Sequence, residues 1–235
     1  MSKDAHRYAI TPPPRPAVAI AGSAELFPVR RLWCVGRNYL EHVREMGHDE
    51  SDPPFFLSKP ADALVPDGFT IPYPPLTSDL HHEVELVVAL RGGGRNIKPD
   101  DALHVVYGYG VGIDLTRRDL LIASREVKRP WEIGKAFDNS APCGALRPAA
   151  EMGHPKNGRI QLKCNGNLRQ DSDLAQMIWN VPTVIARLSE IVSLAAGDVI
   201  MTGTPSGVAA TVAGDKLECE IERVGKLTVT IGPPT

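Results

Sequence analysis

The sequence is poor in cysteine. Cys34, Cys143, Cys164 and Cys219 are its 4 cysteines in 235 residues, and no two of them form a Cys-x-x-Cys pair. Disulfide frameworks and cysteine-rich zinc sites need closely or regularly spaced cysteines, so neither is expected. Isolated thiols are typical of proteins in a reducing compartment, which predicts a cytoplasmic location.

Long apolar segments and an excess of charge are missing too. No apolar run approaches the ~20 residues that a membrane helix requires, and residues 1–16 lack the apolar core of a signal peptide. The 26 basic and 28 acidic residues give a formal net charge of −2. No basic surface for nucleic acid or an anionic membrane is therefore indicated.

Glycine and proline are abundant, at 21 residues each. The proline share exceeds the usual ~5% and predicts short strands with many turns rather than a helical bundle. Helical segments are few, and no regular alternation of strand and helix is visible. This pattern predicts an α+β fold built on a mixed, curled sheet. Residues 1–30 are expected to form an arm and a short strand.

The segment Leu80–Leu90 reads LHHEVELVVAL and alternates as a β-strand does. Successive side chains of a strand point to opposite faces, so Glu83 and Glu85 share a face. Two interpretations stand at this point. The strand is half exposed with a polar outer face, or the neighbouring carboxylates bind a divalent cation that keeps both ionised.

A third carboxylate, Asp114, ends the glycine-studded apolar run at 105–115. A carboxylate in such a buried strand has to be paired or to bind a metal. Asp114 is therefore a candidate ligand beside Glu83 and Glu85. Three oxygen ligands without histidine or cysteine favour Mg²⁺ or Mn²⁺.

A short helix is predicted over 39–46, with Asn38 as its N-cap. His42 and Glu45 lie three residues apart on it and are expected to be neighbours on one face. A carboxylate beside an imidazole fixes the tautomer and raises its basicity, as activation of a water molecule requires. The alternative is a surface ion pair.

Three more features could bind an anionic substrate. The helix predicted over 117–124, with Thr116 as its cap, carries Arg118, and an arginine holds a carboxylate by two parallel hydrogen bonds. Lys135 stands among small and aromatic neighbours, which suggests partial burial. The turn at 203–207 is rich in backbone donors and hydroxyls that suit a carboxylate. For both cationic side chains, a solvated surface position is the alternative.

Six segments of the chain, spread over roughly residues 30 to 231, form an ordered set. They are Cys34-Val35-Gly36-Arg37-Asn38-Tyr39, Lys59-Pro60-Ala61-Asp62, His82-Glu83-Val84-Glu85-Leu86, Gly112-Ile113-Asp114-Leu115-Thr116-Arg117-Arg118-Asp119, Gly134-Lys135-Ala136-Phe137 and Thr202-Gly203-Thr204-Pro205-Ser206-Gly207-Val208. In the same order, these segments resemble those of the fumarylacetoacetate hydrolase family. Within that family the chain looks most like the short acylpyruvate and fumarylpyruvate hydrolases.

The resemblance implies a mixed β-roll with a few flanking helices, a catalytic domain over 31–235 and a homodimer. It implies a hydrolase that uses Mg²⁺, or Mn²⁺ in its place, to cleave the C–C bond of a 2,4-diketo acid. Fumarylpyruvate, from the degradation of aromatic compounds, is the expected substrate. Alternatives within the family are an oxaloacetate decarboxylase, a 2-oxo acid isomerase or tautomerase, and a non-catalytic metal-binding member.

The resemblance also assigns roles to individual residues. One position departs from the family: Leu121 stands where such enzymes often have glutamine, and leucine cannot donate a hydrogen bond to a substrate carbonyl. This leaves the balance between hydrolysis and decarboxylation open. The implied metal ligands are Glu83, Glu85 and Asp114, the implied catalytic residues are His42, Glu45 and Lys135, and the implied substrate-binding residues are Arg37, Arg118, Gly203 and Thr204.

Overall fold

The computed structural model describes residues 8–47, 49 and 51–234. Its strands are β1 (Ala17–Ala19), β2 (Leu26–Pro28), β3 (Arg31–Gly36), β4 (Phe55–Lys59), β5 (Leu64–Val65), β6 (Thr70–Tyr73), β7 (Leu80–His82), β8 (Val84–Leu90), β9 (Val106–Ile113), β10 (Thr116–Arg117), β11 (Ala141–Pro142), β12 (Arg147–Pro148), β13 (Arg159–Cys164), β14 (Asn167–Asp173), β15 (Asp198–Met201), β16 (Ala209–Thr211), β17 (Lys216–Ile221) and β18 (Gly225–Pro234). Its α-helices are α1 (Leu40–Glu45), α2 (Pro99–Ala102), α3 (Arg118–Glu126), α4 (Glu132–Lys135), α5 (Ala149–Met152) and α6 (Val181–Ile191), and short 3₁₀ turns cover Ala61–Ala63, Leu103–Val105 and Leu174–Gln176.

Two large mixed sheets dominate the fold. One has the strand order β12-β9-β8-β15-β3-β4 and the other β14-β13-β17-β18-β6. Each contains one parallel pair, β15 with β3 and β18 with β6, among antiparallel neighbours. Smaller sheets pair β10-β7-β16, β1-β2 and β11-β5. The predicted α+β fold with mixed sheets and few helices is confirmed.

Strand β8 is buried on both faces. Leu86 and Val88 pack into a core cluster that contains side chains of both large sheets and of α6. Val87 and Ala89 face a second cluster, to which β1, β2 and β3 contribute. The interpretation of this segment as a half-exposed strand with a polar outer face is therefore wrong. A carboxylate on or next to this strand needs a partner in the interior.

Residues 17–28 form a small antiparallel pair, β1 with β2, whose Val18 and Phe27 pack into the second cluster. The apolar packing joins this pair to the large sheet that contains β3. Within the described ranges, no helix is both long and apolar enough to cross a membrane.

Two turns of the chain depend on nearby residues alone. Asn165 and Gly166 turn between β13 and β14 with φ of 52° and 77°, as a two-residue hairpin turn requires. The Asn180 side chain accepts a hydrogen bond from the Thr183 amide and caps α6. In both cases the side chain or the backbone conformation acts within a few residues.

Two predicted caps are wrong. Tyr39 occupies the N-cap position of α1, and the buried Asn38 side chain instead bonds to Trp179 and Thr202. Thr116 belongs to β10, its hydroxyl donates to the Asp114 carbonyl, and α3 begins at Arg118. An interior position makes long-range partners available, and these replace the helix terminus as the partner of each polar side chain.

Candidate active site

The antiparallel pairing of β8 with β9 brings three carboxylates together. Glu85 lies opposite Gly112 in this pair, and the Asp114 amide donates to the Glu83 carbonyl at 2.8 Å. Gly112 has to lack a side chain, because a Cβ there would lie 2.6 Å from a methyl group of Val87. One carboxylate oxygen from each of Glu83, Glu85 and Asp114 lies within 4.8 Å of the others, and all three residues are buried.

Two cations neutralise part of this charge. Lys135 Nζ lies 2.6 Å from Glu83 Oε2 and 2.8 Å from Asp114 Oδ2, and Arg118 Nη2 donates to Glu83 Oε1. Burial alone would raise the pKa of Glu83, but Lys135 and Arg118 outweigh it and lower that pKa. Burial alone would lower the pKa of Lys135, but Asp114 and Glu83 raise it. Both groups are therefore charged at neutral pH.

Glu85 has a different environment. Its Oε2 accepts a hydrogen bond from the Gly203 amide at 2.7 Å. Burial, followed by the charges of Asp114 and Glu83, holds the pKa of Glu85 well above its usual value. A divalent cation would relieve this repulsion, and three converging carboxylate oxygens are the donor set that hard cations prefer. The residues present therefore fit a divalent metal.

His42 and Glu45 form a pair beside the carboxylates. His42 Nδ1 lies 3.1 Å from Glu45 Oε2, and Glu45 Oε1 accepts from the Gly207 amide at 2.9 Å. The His42 side chain is 11% exposed and lines the same pocket as Glu83. With the Nδ1 proton held by Glu45, Nε2 is the basic nitrogen. A simple surface ion pair does not describe this arrangement.

The turn at 203–207 holds both halves of the site. Gly203 has φ of 95° and Gly207 of 91°, and their amides bind Glu85 and Glu45. A Cβ at Gly203 would lie 2.7 Å from Asn38 Cβ, and one at Gly207 would lie 2.1 Å from a backbone oxygen. Both the conformation and the space require glycine.

One pocket collects most of the predicted site residues. Gly203 and Glu45 adjoin it through their bonds to Glu85 and His42. Arg118 and Lys135 are buried there, so a solvated surface position is wrong for both. Leu121 also lines this pocket. The predicted residues that line it are Arg37, His42, Glu83, Glu85, Asp114, Arg118, Lys135 and Thr204.

Sequence reasoning assigned no role to Lys59. Its side chain is fully buried, and Nζ lies 2.9 Å from Asp114 Oδ1 while it donates to the carbonyls of Leu115 and Lys135. Lys59 therefore orients the Asp114 carboxylate and the backbone of Lys135. The signal in the sequence was weak: a lysine at the end of the apolar run 55–59.

Gln170 is a second residue that the sequence did not reveal. It lies on β14, fully buried, and its Nε2 donates to Thr204 Oγ1 at 2.8 Å and to the Pro205 carbonyl at 3.0 Å. Its Oε1 accepts from the Val84 amide at 3.1 Å and lies 3.1 Å from His82 Nδ1. Nothing in its polar surroundings, NLRQDSD, distinguishes it from a surface residue.

Comparison with known proteins places this site in a family. The family described as "Fumarylacetoacetate (FAA) hydrolase C-terminal" matches residues 31–232. The chain belongs to the fumarylacetoacetate hydrolase family. Among curated members, fumarylpyruvate hydrolase of a Ralstonia species is 41% identical over 179 residues, 76% of this chain and 93% of that protein. An oxaloacetate tautomerase of Escherichia coli (strain K12) is 40% identical over 192 residues, 81% of this chain and 88% of that protein.

A solved structure of the family is closely similar. Fumarylpyruvate hydrolase from Pseudomonas aeruginosa, in complex with Mn²⁺ and pyruvate, matches with a TM-score of 0.96 and 46% identity, over 97% of this chain and 100% of that chain. The mixed fold is thus that of the family. The two curated relatives act on different compounds at nearly equal identity, so the family alone does not fix the substrate.

Proposed function

We propose that this protein is a metal-dependent hydrolase that cleaves the C–C bond of a 2,4-diketo acid, with fumarylpyruvate as substrate and pyruvate and fumarate as products. The observation that carries the proposal is one pocket lined by both His42 and the carboxylate group of Glu83, Glu85 and Asp114. Hydrolysis requires an activated water next to a centre that stabilises negative charge, and this pocket offers both.

Glu83, Glu85 and Asp114 are the proposed ligands of Mg²⁺ or Mn²⁺. The manganese complex of the Pseudomonas relative supports a divalent metal here. When bound, the metal would supply Lewis-acid stabilisation of the negative charge on the 2-oxo acid. The proposal extends to a homodimer and, in keeping with four buried free cysteines, to the cytoplasm.

The side chains of the site have separate roles in the proposed hydrolysis. Arg118 and Thr204 hold the carboxylate and oxygens of the 2-oxo acid. His42 takes a proton from water at Nε2, and Glu45 stabilises the imidazolium that forms. The resulting hydroxide attacks the carbonyl at C4, and the C3–C4 bond breaks. The electron pair of that bond forms the pyruvate enolate, which Lys135 stabilises, and the proton on His42 passes to C3.

A second reaction has support from the comparisons. The E. coli relative is an oxaloacetate tautomerase, and Leu121 stands where enzymes of the family often have glutamine, so a donor to a substrate carbonyl is missing. Tautomerisation or decarboxylation of oxaloacetate uses the same enolate stabilisation but needs no attacking water. The His42–Glu45 pair, which Gly207 holds in place, is the feature that favours hydrolysis.

Pyruvate release from fumarylpyruvate, acetylpyruvate and oxaloacetate tests the proposal. We expect turnover of diketo acids with Mg²⁺, faster for fumarylpyruvate than for acetylpyruvate, and loss of that turnover after EDTA, because a bound metal would supply Lewis-acid stabilisation of the charge that develops on the 2-oxo acid. Readdition of Mg²⁺ or Mn²⁺ is the control for irreversible damage. Turnover of oxaloacetate alone would reject the hydrolase and assign the chain to the decarboxylases.

A further inference from the structure

Two arginines of the catalytic pocket each have a buried nitrogen without a hydrogen-bond acceptor among the described residues. The nitrogens are Nε of Arg37 and Nε of Arg118. Each guanidinium already binds one carboxylate through a terminal nitrogen, Arg37 that of Asp52 and Arg118 that of Glu83. Buried donors normally have acceptors, and a guanidinium can serve more than one carboxylate. Both nitrogens are therefore available to donate to anionic groups of a ligand in this pocket.

We propose that Arg37 is the residue by which this site selects substrates with two carboxylates. Arg118 takes the carboxylate of the 2-oxo acid, and Arg37 takes the carboxylate at the far end of the acyl chain. This inference rests on the proposed function and names its substrate class. It follows from two orphaned donors in one pocket, because a monocarboxylic diketo acid would satisfy one of them.

The position of Arg37 is specialised. Its backbone φ is 61°, a conformation that costs energy for a residue other than glycine and that persists where the surroundings enforce it. Its guanidinium lies 5.7 Å from the ring centroid of Phe55. The Phe55 ring in turn meets Trp131 edge-on, at 5.0 Å between centroids. These contacts hold the side chain at the pocket wall.

The ion pair that Arg37 makes with Asp52 is weak. The ion pair with Asp52 measures 3.0 Å, and the two side chains are 19% and 56% exposed. An exposed pair of this kind contributes little to stability. Asp52 bonds Nη1, which leaves Nε for a substrate carboxylate, and the two carboxylates compete for the charge of one guanidinium.

The apolar walls of the pocket that contains the two arginines suit a planar carbon chain. Phe55, Leu57, Leu121 and Trp131 line the pocket. Apolar and aromatic walls favour an unsaturated hydrocarbon segment. Leu121 thus forms part of the wall for the acyl chain.

A pair of matched ligands tests the role of Arg37 without turnover. Calorimetric titration of the Mn²⁺-loaded protein compares fumarate with trans-but-2-enoate, which has a methyl group in place of one carboxylate. In Arg37→Met we expect fumarate binding to weaken on the order of 100-fold, since a buried charge pair is lost. Binding of trans-but-2-enoate should change by less than about threefold, because it makes no such pair.

Two further variants sharpen this test. Asp52→Asn removes the competing carboxylate and should strengthen fumarate binding. Arg159→Met breaks an exposed ion pair to Asp171 and should leave the affinities of both ligands unchanged. Equal weakening of both ligands in Arg37→Met, or weakening of neither, would overturn the proposal. A wild type that binds fumarate through Arg37 but hydrolyses no diketo acid would refute the proposed function alone.

A separate observation concerns Gln170. Its amide orientation is fixed at both ends, because the Val84 amide can only donate and the Pro205 carbonyl can only accept. Nε2 is therefore the atom that faces Thr204 Oγ1, and the hydroxyl oxygen accepts. The hydrogen of the Thr204 hydroxyl is left for another acceptor, and Thr204 lines the catalytic pocket.

We infer that Gln170 is a positioning residue that makes Thr204 a hydrogen-bond donor to the substrate. A glutamate at 170 would offer at most one hydrogen at this end, which the Pro205 carbonyl requires, so Thr204 would have to donate to it. Gln170→Glu should raise KM about tenfold, the value of one hydrogen bond to a charged group, with a smaller change in kcat.

Double-mutant kinetics decide this role. If Gln170 acts through the hydroxyl, Gln170→Glu should raise KM little further when Thr204→Val is already present. Gln170→Met demands no hydrogen from Thr204 and should raise KM less than Gln170→Glu does. A purely structural role predicts additive effects and a larger effect of methionine, and that result would overturn the inference. Melting temperatures identify any variant that fails to fold.

Discussion

Replacing His42 with alanine is expected to lower kcat for hydrolysis of fumarylpyruvate by about 10³-fold, the usual contribution of a general base. His42 lines the carboxylate pocket, and Glu45 holds its Nδ1 at 3.1 Å. Without this imidazole, the bases left among the described side chains of the pocket are the three carboxylates that would hold the metal. Pyruvate release followed with lactate dehydrogenase measures the effect.

The same variant separates the two proposed reactions. Enolisation of oxaloacetate needs no attacking water, so His42→Ala should reduce it far less than it reduces hydrolysis. Glu45→Gln keeps an acceptor for the imidazole but removes the charge that stabilises the imidazolium, and an intermediate loss is expected. Nearly full hydrolysis by a folded His42→Ala protein would contradict the assignment of the base.

Replacing Glu85 with glutamine is expected to weaken binding of Mn²⁺ by at least about 100-fold and to abolish turnover at micromolar metal. Mutation of residues that only hydrogen-bond to metal ligands already lowers metal affinity about 10- to 100-fold. The amide oxygen of glutamine can still accept from the Gly203 amide, which now bonds Glu85 at 2.7 Å. The local fold should therefore survive, and titration calorimetry with Mn²⁺ measures the loss.

Glu85→Gln should weaken metal binding, but it should not destabilise the metal-free protein. Burial and the charges of Asp114 and Glu83 raise the pKa of Glu85, so the ionised group is unfavourable there. Removing it should leave the melting temperature of the metal-free protein unchanged or higher. Glu218→Gln, on strand β17 and away from the pocket, is the matched control and should bind Mn²⁺ normally. Unchanged Mn²⁺ affinity in Glu85→Gln would reject this carboxylate as a ligand.

Periodicity carried the central prediction about the site. Glu83 and Glu85 were expected to share a face because side chains alternate along an extended chain. Their carboxylates do converge, although Glu83 lies between β7 and β8 and the predicted single strand is divided there. The His42–Glu45 pair follows in the same way from helical spacing. That Asp114 joins the carboxylates came from its place at the end of an apolar run, and the register of β8 with β9 supplies the contact.

Other residues were invisible because their partners are distant in the sequence. Lys59 meets Asp114, and Gln170 meets Val84 and Thr204. A polar residue in a short segment has no local feature that announces such partners. Asn38 is the opposite case. Asparagine is a common helix cap, but in the fold its side chain bonds to the distant Thr202 and does not cap α1.

The sequence by itself determined the class of fold, the carboxylate pair Glu83 and Glu85, the His42–Glu45 pair and the family, because each depends on neighbouring residues or on ordered segments. Only the tertiary structure decided that β8 is buried on both faces, that Arg37 and Arg118 leave donors without acceptors in one pocket, and which atom of Gln170 faces Thr204. These properties depend on the packing of elements far apart in the chain, and packing decides which polar atoms lose water and which partners replace it.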